Sequence, residues 1–157
     1  MDMRQRTVRF LPMLLPVALA GLALCVSYAG GDTSRTATVG TPLSADSKVI
    51  AYYFHGNFRC RTCRTLEAYS EEAITKEFTD ELGSGRLAWR VVNVEESENK
   101  HFVEDFELVT KSLVLVEYRD GKVIRHENLE QIWQLVRDKE AFLNYVRAST
   151  REFLRGG

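Results

Sequence analysis

The chain has 157 residues, of which 45% are hydrophobic, 10% aromatic and 27% charged, and its formal net charge is -1 at pH 7. That composition suits one globular domain and excludes a disordered or collagen-like chain. Residues 1–29 hold three arginines and Asp2; the rest carries 18 basic and 21 acidic side chains, a balance of -3 with no basic stripe, so nucleic acid is not an expected partner.

The stretch MDMRQRTVRF carries Arg4, Arg6 and Arg9, and residues 10–29 carry no charge. A basic start followed by an apolar run predicts a secretory signal or an N-terminal membrane anchor over residues 1–29, with the downstream part exported to a periplasmic or other extracytoplasmic space. Ser27 and Ala29 are small residues at the right offsets for cleavage after Ala29. Uncleaved, residues 10–29 are also long enough to span a bilayer and tether the protein. Cys25 follows Leu24 where a lipoprotein box has a small residue, so it is taken as an apolar member of the segment. Residues 30–47 are small and polar with no apolar period, which predicts a flexible linker. The folded part is expected over residues 48–157.

KVIAYYFHG is a β-branched and aromatic run closed by a glycine and predicts a buried strand. Leu66, Tyr69, Ala73, Phe78 and Leu82 recur at helical spacing, predicting one helix that stops at Gly83 and Gly85. RLAWRVVNVEE predicts a second strand. In SENKHFVEDFEL, Ser97 is placed to cap a short second helix with Phe102 and Phe106 on one face. SLVLVEYRDGKVIRHENL predicts a hairpin around Asp120-Gly121. A last helical region follows, with an apolar face at Ile132, Trp133 and Val136 and a helix capped by Asp138. The order β-α-β-α-β-β-α predicts an α/β domain in which a right-handed βαβ unit and a hairpin form a small mixed sheet with helices on both faces.

The chemistry concentrates in HGNFRCRTCR, residues 55–64. Cys60 and Cys63 sit where the first strand delivers the chain into a helix, the arrangement of a thiol-disulfide exchange pair. Free N–H groups and the macrodipole at a helix start favour an anion, so the Cys60 thiolate is expected to form below the free thiol value of about 8.5. Arg59, Arg61 and Arg64 act in the same sense. Cys63, one turn on, is placed deeper and suits a resolving thiol. A purely structural disulfide would close too short a loop to stabilise much. His55 is the titratable group available for proton exchange near neutral pH. The same residues admit a thiolate metal site, with Cys60, Cys63 and His55 holding a soft ion such as Cu(I).

With the strand, the cysteine pair and the element order in hand, residues 48–148 resemble the thioredoxin-like superfamily. Within it, YYFHGNFRCRTCRTLEAYS, WRVVNVEESENKHFVEDF and TKSLVLVEYRDGK are similar to exported bacterial proteins labelled ArsF-type, or nitroreductase-subunit, proteins. The resemblance implies a redox-active disulfide, no cofactor, and protein thiols or disulfides as partners. The chain departs from thioredoxins at three places. Arg59-Cys60-Arg61-Thr62-Cys63 replaces Trp-Cys-Gly-Pro-Cys. The cis-proline that presents backbone to a substrate has its counterpart at Lys111-Ser112, with no proline. The buried acid falls at Phe54. The three readings that follow are an exported oxidoreductase, a copper carrier, and a non-catalytic accessory subunit that uses the fold for docking.

Overall fold

The computed structural model describes residues 47–156. The expectations for residues 1–29 and for the linker up to residue 46 lie outside the described residues. Ser47, expected to end the linker, opens the first strand.

The chain forms β1 (Ser47–His55), α1 (Arg61–Glu77), α2 (Thr79–Gly83), β2 (Leu87–Asn93), α3 (His101–Asp105), β3 (Ser112–Arg119), β4 (Lys122–Asn128), α4 (Ile132–Leu135) and α5 (Lys139–Arg155). The sheet order is β2-β1-β3-β4. β1 and β2 are parallel, with Tyr53 opposite Val91, and β3 runs antiparallel to both β1 and β4. This is the thioredoxin-like α/β arrangement, with β1 and β3 as the central, best buried strands.

The alternation of β1 sorts its side chains between two cores. Val49, Ala51 and Tyr53 face a large core with Leu66, Ala73 and Ile74 of α1 and Phe142 and Val146 of α5. Ile50, Tyr52 and Phe54 face a smaller core closed by Phe102 and Phe106. There Tyr52 and Phe54 stack with ring centroids 5.2 Å apart. Helices therefore cover both faces. Tyr69 of α1 meets Phe142 of α5 edge to face at 5.5 Å, which registers the two long helices against one another.

Two helix expectations need correction. The predicted helix over Leu66–Leu82 is broken at Phe78, whose φ of -113° and ψ of 42° end α1 and start α2. Phe78 is 3% exposed, so anchoring its ring in the core redirects the chain while the apolar period continues. Ser97 does not cap α3: Ser97–Asn99 is a 3-10 turn, Lys100 precedes the helix, and the serine hydroxyl turns to the Glu98 carboxylate. The hairpin forms as predicted, with Asp120 and Gly121 at φ of 52° and 74°, the left-handed pair a two-residue turn requires. Asp138 caps α5 by accepting the Ala141 N–H at 3.0 Å.

Candidate functional site

The disulfide loop leaves the C-terminal end of β1 and enters α1. Cys60 is the N-cap residue in extended conformation, and its Sγ accepts the Cys63 backbone N–H at 3.1 Å. Sulfur thus takes the position that a serine or aspartate oxygen occupies in an ordinary cap. Cys60 and Cys63 are joined as a disulfide, with Cα atoms 5.1 Å apart. Cys60 is half-buried, whereas Cys63 is 3% exposed. The pair is asymmetric in the expected sense: the outer sulfur is open to a partner and the inner one is not.

The residue beneath the pair was not legible as a site residue. The Tyr53 hydroxyl donates to the Cys63 carbonyl at 2.7 Å in a fully buried position. Burial pushes the Tyr53 hydroxyl up to about 12, and the nearby Arg59 charge offsets part of that rise. Tyr53 therefore stays protonated and holds the first turn of α1 onto β1. Strand alternation puts Tyr53 on the α1 face; what its hydroxyl meets there is a matter of three-dimensional packing.

The three arginines are not equivalent. Arg59 forms an ion pair with Glu67 on α1. Arg61 and Arg64 are exposed, and among the described residues neither side chain has an ion pair or hydrogen bond. Arg59, Arg61 and Arg64, with Thr65, Ala68 and Tyr69, line an open cavity of about 480 Å³ along α1. No acidic residue lies in the first turn of this helix.

His55 closes β1 with both ring nitrogens engaged. Nδ1 lies 3.0 Å from the Gly56 carbonyl oxygen, and Nε2 has a long 3.5 Å contact to Arg59. A carbonyl only accepts and a guanidinium only donates, so this pattern assigns the proton to Nδ1. Among the described residues no three His, Cys, Asp or Glu side chains gather to hold a metal ion.

Ser112 opens β3 directly opposite Phe54, so the Lys111-Ser112 segment sits at the same end of the sheet as the disulfide loop. Ser112 is buried and its hydroxyl donates to the Thr110 carbonyl at 3.0 Å. The Lys111 carbonyl accepts the Trp133 indole N–H at 2.9 Å, so Trp133 is both core and anchor for this loop. The loop holds Val109 at 95% exposure, and the disulfide loop holds Phe58 at 75%. The disulfide loop is tied to the end of β2 by an Asn93–Asn57 side-chain hydrogen bond of 2.8 Å.

His101 and His126 are exposed and take no part in this constellation. Trp89 packs against the α1-side core with its ring 6.5 Å from Tyr53.

No family model and no curated protein matches the chain. Among solved structures it is similar to Trxlp from Edwardsiella tarda, at 16% identity over 63% of this chain and 82% of that one, with a TM-score of 0.39. It is also similar to Fasciola hepatica thioredoxin, at 16% identity over 62% and 81%, with a TM-score of 0.35. Oxidised thioredoxin O2 from Arabidopsis thaliana gives 14% identity over 61% and 76%, with a TM-score of 0.36. The fold assignment rests on the strand order and pairing given above.

Proposed function

We propose that this protein is an exported thiol-disulfide oxidoreductase acting through Cys60 and Cys63. The observation that carries the reading is the capping geometry: a half-exposed sulfur at the start of a long helix, hydrogen-bonded by the Cys63 N–H and joined to a buried second sulfur. In the reduced protein the Cys60 thiolate attacks a partner disulfide, forming a mixed disulfide and releasing one partner thiol. The Cys63 thiolate then attacks the Cys60 sulfur, releasing the second partner thiol and leaving the protein oxidised. The reverse sequence transfers the disulfide to a dithiol partner. A cap that stabilises the thiolate favours the reduced form and makes the pair more oxidising.

Export rests on Arg4, Arg6 and Arg9 followed by the uncharged residues 10–29, and an oxidising compartment suits a persistent disulfide. Residues 1–29 are the targeting or tethering segment, 30–46 the spacer, and the part from Ser47 onward the redox domain in this reading. The narrower likeness to ArsF-type exported proteins is supported by the three sequence segments that carry it. Among the described residues no helix is long and apolar enough to cross a membrane, and residues 10–29 lie outside them.

The test is a trapping experiment with a titration beside it. A Cys63→Ser chain cannot resolve the intermediate, so it should accumulate mixed disulfides in cells that dithiothreitol releases; mass spectrometry of the same sample reports whether residues 1–29 remain. Failure to trap any partner through Cys60 removes the exchange reading and leaves an accessory, docking role for the fold. Titration of the wild type against glutathione should give a potential above about -270 mV; a value at or below that reverses the oxidising direction.

A further inference from the structure

The charges at the start of α1 run against the helix. Arg61 is its first residue and Arg64 lies one turn in, yet the N-terminal end of a helix disfavours cations and favours acids. α2 and α5 follow the ordinary rule, with Asp80, Glu81 and Glu140 in their first turns. Arg59 at least has Glu67 as a counter-ion. Arg61 and Arg64 have none among the described residues, although the domain as a whole is acidic. Both border the open cavity of about 480 Å³ whose lining begins beside Cys60. Glu67, already paired with Arg59, and Glu71 share a neighbouring hollow with Arg64. Folding gains nothing from two uncompensated guanidinium groups at this end of a helix. A partner with carboxylates beside its cystine gains two planar donors, each able to take a carboxylate bidentately.

We propose that Arg61 and Arg64 select polypeptide partners with acidic residues flanking the reacting cysteine. The inference rests on the exchange reading. The guanidinium groups hold the acidic flank in the cavity along α1, which brings the partner disulfide to the Cys60 sulfur. Charge complementarity of this kind acts chiefly on the rate of productive encounter and is screened by salt.

The experiment uses the reduced full chain and three peptide disulfides that are identical except for two residues flanking the cysteine, which are Asp, Asn or Lys. Second-order exchange rates are divided by the rate of each peptide with a small uncharged thiol, which removes intrinsic differences between the peptides. At low salt the Asp peptide should react about tenfold faster than the Asn peptide, and the Lys peptide slower than both. The Asp advantage should shrink toward one at about 0.5 M salt, where the screening length is roughly 4 Å. It should also vanish in the R61Q/R64Q chain; because the readout is a ratio within one protein, a changed Cys60 nucleophilicity cancels. Equal rates for the Asp and Asn peptides, with exchange proceeding in both, overturn the selectivity and leave the oxidoreductase reading standing. An advantage that survives in R61Q/R64Q overturns the assignment to these residues. No exchange with any peptide overturns both readings.

Discussion

Replacing Tyr53 by Phe removes one hydroxyl and keeps the ring that packs between β1 and α1. The hydroxyl donates to the Cys63 carbonyl at 2.7 Å in a position closed to solvent. The Cys63 carbonyl lies within α1 and keeps its helical partner, so losing this second, buried hydrogen bond costs about 1–1.5 kcal/mol, and the variant should be less stable by that amount at pH 7. The pH dependence carries an independent signature. Burial holds the folded-state pKa at about 12, above the ordinary tyrosine value of 10.0. Between those values the unfolded chain releases this proton and the folded chain keeps it. The contribution is therefore fully present below pH 10 and lost as pH rises through 12. By pH 11 the wild type should have lost about 1.4 kcal/mol from this group alone, a loss the phenylalanine variant cannot suffer. Tyr118 and Tyr145 are raised in the same direction, mainly by burial, but they are common to both chains and cancel in the difference. Urea unfolding of the oxidised proteins at pH 7 and pH 11, followed by far-UV circular dichroism, reads both effects. The stability gap should nearly close at pH 11. Equal stability at pH 7 together with parallel pH profiles would refute the Tyr53 bridge.

Two further perturbations address the core. Thr150 is fully buried on α5, and among the described residues its hydroxyl has no hydrogen-bond partner. Thr150→Val exchanges that hydroxyl for a methyl group and should stabilise by about 1 kcal/mol; a lower melting temperature would show that the hydroxyl is satisfied after all. Glu117 is a buried carboxylate held by Arg125 at 2.6 Å and Arg119 at 3.3 Å, and Arg125 also donates to the Phe153 carbonyl and covers that ring at 3.9 Å. Arg125→Met should cost about 3 kcal/mol by leaving the buried acid with only its weaker partner, and adding Glu117→Met should recover at least half. A double variant no more stable than the single one would mean that the arginine acts by packing, not by charge.

How far these features could be read from the chain depends on the range of the interaction. β1, β2, the D-G hairpin and the Asp138 cap are set by near neighbours, and all were legible. The cysteine pair was legible because three-residue spacing at a strand-to-helix junction is itself local chemistry. The break at Phe78 was hidden because Leu82 continues the helical period across it; only the core that buries the Phe78 ring reveals the turn. The Glu117–Arg125 pair escaped for a related reason. A regular two-residue turn at Asp120-Gly121 places Ile124 opposite Glu117, and the bulge between Glu117 and Tyr118 shifts the partner to Arg125. The Arg59–Glu67 pair links a loop to a helix and has no periodic signature at all. It splits three arginines that look alike in sequence into one that is neutralised locally and two that face outward.

The account stands on the ionised sulfur at the head of α1. Its most direct test is the pH dependence of iodoacetamide alkylation of the reduced protein, with peptide mass mapping of the label. The half-exposed Cys60 should be labelled first, with a midpoint below the ordinary thiol value of about 8.5, because the Cys63 N–H and the helix start both favour the anion. A midpoint at or above that value, or first labelling at the buried Cys63, would contradict it.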